Sequence, residues 1–399
     1  MKKHLAIICG IFYPEPSATG LCAKRFANLL SDGYEIDIIC LSENEDQTTV
    51  DLADGIKVHK LAGRRMSAES RSHGIMKKAL HLLGGVQIKT QLLGNLTWYR
   101  KAAYQKLEKL HNAHRLDVVF SICSPFAAHC AAGDFKRSHP SVHWCGYTVD
   151  PYAAKNRIRP VWCSYEQLIE AERKVLLSMD SVLLSEEVFK RRPELYRGCK
   201  CCQELPYILP ELQSDTEKRR FFDDKDINCV YAGSFYRDIR NPECMLDLFS
   251  HLNEPRIKLH LFSRGCEELV RKYADEASSI IVHEQVSTSE MAQVYQDADI
   301  LVNIGNATPE FMPSKTFEYI ATGKPIINFY YEKCVNEVLA RYPLCLQLQN
   351  ASVDGRTQIL REFALKNGRK RVEESEIRKL YYNNSSDHVS EILYDAVRG

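Results

Sequence analysis

Short apolar runs of β type alternate with helical patterns along almost all of this 399-residue sequence. Such alternation predicts α/β folding, with parallel sheets whose strands are joined by right-handed helical crossovers. The strands predicted first are His4–Cys9, Glu35–Leu41, Lys57–Leu61, Val118–Ile122, His143–Thr148 and Ser181–Leu184. The helices predicted among them are Leu21–Leu30, Lys89–Asn112, Phe126–Lys136 and Cys163–Ser178.

A second alternating set follows the charged, strand-poor segment Gln213–Asp226. Its predicted strands are Asn228–Ala232, Lys258–Phe262, Ser279–His283, Ile300–Val302 and Pro325–Tyr330. Its predicted helices are Pro242–His251, Cys266–Ala274, Ser289–Asp297 and Lys315–Thr322. We therefore expect two Rossmann-like doubly wound domains, 1–207 and 208–385, facing a central cleft, with 386–399 a helix packed back on the first. Ligands of open α/β sheets bind at the carboxyl ends of the strands, so the chemistry is expected there.

The cysteines and the apolar segments exclude several classes of protein. Fifteen cysteines are scattered through a large chain, many of them inside apolar runs, which indicates buried thiols and a reducing cytoplasm. The cluster Cys199–Cys202 lacks a second Cys/His pair at ligand spacing, so no zinc site is expected. No stretch approaches the ~20 apolar residues of a membrane span.

The near-neutral overall charge conceals an asymmetry along the chain. Residues 1–200 carry 29 basic and 21 acidic side chains, and the remainder carries 24 and 31. The segment 55–115 is more basic still, with 13 basic residues against 2 acidic ones. A solvated helical face would account for this, but an anionic partner is the favoured interpretation. The leucine- and isoleucine-rich stretch Ile75–Leu96 makes an anionic membrane surface the expected partner. No nucleic-acid module is recognised.

The strongest local signal is a helix start at residues 314–316. Ser314 is predicted to cap a helix that begins with Lys315 and Thr316. Gly323 in the C′ position and Pro325 beyond it are predicted to end that helix. A helix N-terminus with free N–H groups, a hydroxyl and a lysine can hold a diphosphate.

Two carboxylates accompany this helix. Glu318 lies in the predicted first turn, where it can accept hydrogen bonds from ribose hydroxyls. Glu310 lies outside the helix and can reach past a phosphate towards a sugar. An ordinary capped helix with two surface carboxylates would explain the same spacing, and that alternative stays open.

The stretch Glu310–Glu318 resembles the E-x7-E motif of retaining GT-B glycosyltransferases of the family 4 type, which occur in bacterial polysaccharide and glycolipid synthesis. Phe317–Ile327 follows the same family pattern. Phe12–Gly20 resembles the family's first strand-to-helix loop, in which a glycine such as Gly20 abuts the donor phosphates. Val230–Gly233 resembles the opening strand of the donor domain. The resemblance implies a GT-B fold, a nucleotide-sugar donor, retention of configuration, and no metal or other cofactor.

The sequence departs from the family pattern after Gly233. The family usually places an arginine next and a lysine a few residues later, both gripping the diphosphate. Here Ser234 and Arg240 hold the corresponding positions, with Arg237 between them. Arg240 can supply the second charge as a bidentate guanidinium, whereas the first is missing unless Arg237 substitutes for it.

The acceptor side is expected at Trp144–Tyr152, which resembles the family's loop carrying an Asp or His beside the transferring sugar. Asp150 is the candidate for orienting the acceptor hydroxyl or accepting its proton. An Asp-Pro turn without a catalytic role is the alternative for this residue.

The predicted function is transfer of a sugar from a nucleotide-sugar to an acceptor hydroxyl by a hexosyltransferase-type enzyme. The basic segment predicts a polyprenyl-diphosphate-linked saccharide acceptor in surface polysaccharide synthesis, used at the inner face of the membrane by a cytoplasmic, peripheral protein. Two further interpretations stay open: a catalytically silent GT-B scaffold, which the Ser234 departure favours, and a GT-B sugar-nucleotide epimerase.

Overall fold

The structure, a computed structural model, describes residues 2–12, 17–42, 49–51, 55–62, 96–155, 164–211, 221–307, 315–331, 337–351 and 355–398. The chain divides into two compact units. The first unit comprises Met1–Tyr207 together with Asp387–Gly399, and the second comprises Ile208–Ser386.

The first unit is built on an eight-stranded sheet. Its strands are β1 (Lys3–Ile11), β2 (Tyr34–Ser42), β3 (Thr49–Asp51), β4 (Ile56–Ala62), β5 (Val118–Cys123), β6 (His143–Thr148), β7 (Ser181–Leu184) and β8 (Cys202–Glu204). They lie in the order β3-β4-β2-β1-β5-β6-β7-β8. The edge strand β3 is antiparallel to β4, and the other pairs are parallel. Strand β5 is buried along its whole length, as expected of a parallel strand covered on both faces.

Helices cover this sheet and one of them comes from the end of the chain. They are α1 (Ala18–Leu30), α2 (Thr97–His114), α3 (Phe126–Ser138), α4 (Tyr152–Lys155), α5 (Tyr165–Leu176), α6 (Glu186–Arg191), α7 (Pro193–Tyr196) and, last in the chain, α15 (Ser386–Arg398). The Tyr394 ring of α15 lies 6.2 Å from that of Tyr34, and His143 Nε2 donates to the Ala396 carbonyl at 2.8 Å. The terminal helix therefore packs within the first unit.

The second unit holds a six-stranded parallel sheet. Its strands are β9 (Ile227–Ser234), β10 (Ile257–Arg264), β11 (Ile280–Val282), β12 (Ile300–Ile304), β13 (Ile326–Tyr330) and β14 (Cys345–Gln349). Their order, β11-β10-β9-β12-β13-β14, is that of the dinucleotide-binding folds. The strand order reverses between β9 and β12, so the binding crevice is expected at the carboxyl ends of these two strands.

The helices of the second unit lie between its strands and beyond the last one. They are α8 (Glu243–Ser250), α9 (Glu267–Glu276), α10 (Thr288–Asp297), α11 (Thr316–Ala321), α12 (Glu337–Ala340), α13 (Arg356–Asn367) and α14 (Glu374–Leu380). A core formed by residues such as Phe249, Leu261 and Phe329 fills the space against the sheet. None of the helices in the described ranges is both long and apolar enough to cross a membrane.

The predicted strands and helices are present, with ends that differ mostly by one to three residues. The largest difference is at α2, predicted as Lys89–Asn112 and described as Thr97–His114; residues 89–95 of that prediction lie outside the described ranges. The sequence analysis did not predict the short strands β3 and β8, the strand β14, or the helices α4, α6, α7, α12, α13 and α14.

Candidate functional site

The carboxyl end of β9 meets that of β12 where the strand order of the second unit reverses. Gly233 and Ser234 end β9 and pair with the end of β10. Gly233 has φ +153°, a conformation that glycine adopts readily because it has no side chain. Gly305 and Asn306 follow β12 directly. Two of the predicted donor-binding residues, Gly233 and Ser234, therefore lie at the expected crevice.

Arg240 is held at this point by a small loop. The backbones of Tyr236 and Arg240 pair in an antiparallel bridge, and the N–H of Ala307 donates to the carbonyl of Ile239 at 2.8 Å. The Nε and Nη2 groups of Arg240 donate to Asn306 Oδ1 at 3.2 and 2.8 Å. Arg240 is half-buried and lies beside Gly233, whereas Arg237 is exposed in the turn. This geometry favours Arg240 over Arg237 as the fixed cation.

Lys315 is a second positive charge that acts electrostatically on Tyr231, the hydrogen-bond partner of Arg240. Its Nζ donates to the Tyr295 hydroxyl at 2.6 Å and lies 3.8 Å from Glu318 Oε2. Burial raises the pKa of Tyr231 to about 12, and both Arg240 and Lys315 oppose that rise electrostatically. Arg240 is hydrogen-bonded to Tyr231, and the charge of Lys315 acts on the same side chain from a greater distance.

The helix of the E-x7-E motif is shorter than predicted. It begins at Thr316, with Lys315 as N-cap and no side-chain capping bond, so the predicted cap at Ser314 is wrong by one residue. Ser314 itself lies outside the described residues, as does Glu310. The Thr316 side chain is fully buried and faces no solvent.

Hydrogen bonds fix the middle of α11 to the sheet and close its C-terminal end. The Tyr319 hydroxyl accepts from the Ala232 N–H at 3.3 Å and lies 3.4 Å from the Ala232 carbonyl, which fixes α11 against β9. Gly323 has φ +70° and its N–H donates to the Ile320 carbonyl at 3.0 Å, which confirms the predicted helix end. Glu318 keeps a quarter of its side chain exposed on the outer face of this helix.

Lys324, next to that glycine, is a buried lysine. Its Nζ donates to the carbonyls of Gln296 at 2.7 Å and Ala298 at 2.5 Å, at the end of α10. Burial, followed by the charge of Arg371, lowers its pKa to about 7 from 10.5. The unfolded chain therefore binds more protons than the folded one between pH 7 and 10.5, so the free energy of unfolding rises with pH in this window.

We expect Lys324→Met to remove this pH dependence. The stability of the wild type relative to the variant should increase by roughly 2 kcal/mol from pH 7 to pH 9, measured by urea unfolding. Lys366→Met, at an exposed position of α13, is the matched control and should leave the slope unchanged. A stability difference between wild type and Lys324→Met that is constant with pH would contradict the assignment.

In the first unit, Asp150 follows β6 and is partly exposed. The chain after it is fixed by Glu172, a fully buried carboxylate of α5 that accepts the N–H groups of Tyr152 and Ala153, each at 2.8 Å. Burial raises the pKa of Glu172 to about 7, and these two hydrogen bonds oppose the rise. The Asp-Pro turn is thus held rigidly.

A second carboxyl group lies near Asp150. Glu187, in the first turn of α6, has a buried Oε2 with no hydrogen-bond partner among the described residues, and burial raises its pKa to about 7. Burial also raises the pKa of Tyr207, and Glu187, Tyr147 and Asp150 add to that rise through their charges. Asp150 and Glu187 follow the neighbouring parallel strands β6 and β7, so both lie at the carboxyl end of this sheet.

Close packing explains why residue 20 is a glycine. A Cβ at this position would lie 2.2 Å from the Ile11 carbonyl, so only glycine lets α1 approach the end of β1 this closely. The Gly20 N–H already donates to the Ser17 hydroxyl at 3.2 Å. His129 is also structural, since it is fully buried and bonded to Ser121 at 2.8 Å.

Several residues of the site were not predicted. Asn306 and Tyr231 contact Arg240 and Tyr295 contacts Lys315, yet only Asn306 carried a usable signal, a Gly-Asn pair that begins three residues after the predicted strand Ile300–Val302. Glu172 also carried a signal, because it is an acidic residue on the apolar face of its helix. In the described parts of the chain, His, Cys, Asp and Glu side chains form no group of three or more that could hold a metal ion.

Residues 226–342, which span β9 to α12, match the family model described as "Glycosyl transferases group 1". The second unit thus contains a glycosyltransferase group 1 domain. No curated protein matches the sequence of the chain.

Solved structures resemble both units together. A sucrose-phosphate synthase from Thermosynechococcus elongatus is 13% identical, with TM-score 0.64, covering 100% of this chain and 98% of its own. The lipopolysaccharide outer core galactosyltransferase WaaB is 12% identical, with TM-score 0.59 and 99% of both chains covered. A structure described as "Trehalose-6-phosphate from E. coli bound with UDP-2-fluoro glucose" is 10% identical, with TM-score 0.64 and 99% of both chains covered. These similarities show the GT-B fold that the sequence predicted.

Proposed function

We propose that the chain is a glycosyltransferase that moves a sugar from a nucleotide-sugar onto an acceptor hydroxyl with retention of configuration. The observation that supports this most directly is the pair of cations, Arg240 and Lys315, at the strand-order reversal of a group 1 domain. Arg240 beside Gly233, together with Lys315 at the start of α11, supplies two positive charges that suit a diphosphate. One solved structure of the same fold is described as bound with a UDP-sugar analogue.

The proposed roles follow from charge and position. Arg240 and Lys315 would stabilise the negative charge that grows on the departing diphosphate. Glu318 would accept the ribose hydroxyls, and Glu310 would hold the hydroxyls of the donor sugar. Asp150, held by the rigid turn after β6, would orient the acceptor hydroxyl or accept its proton.

A thermal-shift panel of UDP-, GDP-, ADP- and dTDP-sugars tests the proposal. A donor at 100 times its dissociation constant adds about 2.7 kcal/mol to the free energy of unfolding, which gives a clear rise in Tm. One nucleotide series should stabilise the protein. A protein that none of these compounds stabilises would favour the scaffold interpretation, and binding without transfer to any acceptor would favour the epimerase.

We expect turnover to survive EDTA. Arg240 and Lys315 supply the charge that a divalent cation would otherwise bring to the diphosphate, so chelation should leave kcat unchanged within about twofold. The measurement compares initial rates in EDTA and in Mg²⁺ or Mn²⁺. Loss of turnover on chelation, restored by either metal, would overturn the metal-free mechanism.

We further propose that the acceptor is lipid-linked, as in surface polysaccharide synthesis, and that the segment 55–115 binds an anionic membrane surface. The basic cluster at Arg64–Lys89 lies outside the described residues. The described part supports the proposal through α2, whose outer face exposes Trp98 together with Lys101 and Lys109. Exposed tryptophan and lysine suit the interface between headgroups and acyl chains.

Liposome co-sedimentation should show binding that requires anionic lipid. It should weaken as salt rises from about 0.05 to 0.5 M, because the Debye length falls well below ~10 Å. Lys101→Glu/Lys109→Glu should reduce binding by about tenfold or more, since each lysine near an anionic leaflet contributes about 1 kcal/mol. The same charge change at Lys366 and Lys379 of the second unit is the control. Indifference to anionic vesicles at low salt would favour a soluble acceptor.

A further inference from the structure

Asn306 is the residue that fixes the position of the Arg240 guanidinium. It follows β12 at the strand-order reversal, and only 9% of its surface is exposed. Its Oδ1 accepts from both Nε and Nη2 of Arg240, at 3.2 and 2.8 Å. One edge of the guanidinium is thereby fixed, and Nη1 is turned towards Gly233, 3.7 Å from where a Cβ on that glycine would lie.

The side-chain partners of Arg240 are uncharged, whereas other arginines of the chain pair with carboxylates. Arg100 pairs with Asp134 and Arg192 pairs with Glu194, each at 2.5 Å. Within the part of the chain that the structure describes, Arg240 has no carboxylate at ion-pair distance, and its side-chain partners are Asn306 and Tyr231. A carboxylate would orient the guanidinium equally well but would cancel its charge.

We propose that Asn306 is a positioning residue that orients Arg240 for the donor diphosphate while leaving its charge uncompensated. The amide oxygen binds the Nε and Nη2 edge, and the N–H groups that bond neither to Asn306 nor to Tyr231 stay available to an anion. The inference rests on the proposed function, because the anion it serves is the diphosphate of the donor. Asn306 is thus expected to affect diphosphate binding only through the orientation of Arg240.

Calorimetry with inorganic pyrophosphate tests the proposal in the full-length protein. Asn306→Ala should weaken pyrophosphate binding by about tenfold, the loss expected of a hydrogen bond to a charged group. Asn306→Asp keeps the shape and the acceptor but adds a negative charge, so it should weaken binding further, by about 50-fold or more. In an Arg240→Ala background, Asn306→Ala should cause no additional loss.

Asn303→Ala is the matched control. Asn303 lies on β12, three residues before Asn306, is 4% exposed, and donates to Asn328 Oδ1 at 2.6 Å rather than to a group on Arg240. It should lower Tm without changing pyrophosphate affinity. If Asn306→Ala does not fold, the isosteric Asn306→Asp carries the test.

The outcomes separate this inference from the function on which it rests. If the wild type binds neither pyrophosphate nor any nucleoside diphosphate, both fail. If the wild type binds and Arg240→Ala weakens binding, but Asn306→Asp binds as tightly as the wild type, only the role of Asn306 fails. Losses from Asn306→Ala and Arg240→Ala that simply add would likewise overturn it, because they would show a general structural effect.

Discussion

Replacing Arg240 by alanine is expected to lower kcat by about 100- to 1,000-fold while raising the donor KM much less. The charge on the diphosphate grows as the glycosidic bond breaks, so a cation fixed beside it stabilises the transition state more than the ground state. Arg240 is held by Asn306 before any donor arrives, which removes the cost of ordering its side chain on binding. Steady-state kinetics with the donor identified by the nucleotide panel gives both constants.

Arg237→Ala is the control for that experiment. Arg237 lies exposed in the turn only three residues before Arg240, so the same substitution there should change kcat by less than about threefold. Arg240→Lys adds a second comparison, since a lysine keeps the charge but cannot make the paired contact with Asn306. If Arg237→Ala lowers kcat strongly and Arg240→Ala lowers it little, the assignment of the phosphate contact to Arg240 is wrong.

Glu318→Ala is expected to weaken nucleoside diphosphate binding by about 10- to 100-fold, because two ribose hydroxyls lose a charged acceptor. The same change removes the negative charge 3.8 Å from Lys315 Nζ and so should slightly strengthen binding of pyrophosphate, which has no ribose. Calorimetry with both ligands separates the two effects. Opposite changes would support the ribose contact.

Glu362→Ala serves as the control, because that glutamate is exposed on α13, in the same unit. It should alter neither affinity. Equal affinity of Glu318→Ala and the wild type for the nucleoside diphosphate would remove Glu318 from the site. Equal losses for nucleoside diphosphate and pyrophosphate would instead point to a disturbed helix α11.

The apolar runs of the two sheets could be located from sequence because both are buried. Strands such as β5 and β12 are covered on both faces, which requires continuous apolar runs that stand out from the neighbouring helices. The edge strands β3 and β8 were missed, since each has three residues and carries too little pattern to be recognised. The start of α11 was placed one residue early because a serine before a lysine satisfies the capping rule equally well.

Site residues could be predicted where residues close together in the sequence form a recognisable motif. They could not be predicted where they depend on contacts between distant segments. Arg240 was found because it follows Gly233 at a family-like distance. Tyr231 and Tyr295 come from a strand and a helix 64 residues apart in the sequence, and no local pattern indicates that each will accept contact from a cation. Asn306 was missed because the Gly-Asn pair that marks it does not indicate its partner Arg240, which lies 66 residues earlier.

The helix α15 gives the chain a constraint during synthesis. Its residues belong to the first unit, but they leave the ribosome only after the whole second unit has been made. Until then Tyr34, at the start of β2, lacks its contact with the Tyr394 ring, and His143 lacks its hydrogen-bond partner, the Ala396 carbonyl. The two units therefore cannot mature strictly one after the other, as consecutive domains usually do. A released chain truncated after Ser386 should carry a second unit that resists protease and a first unit that is still open to it.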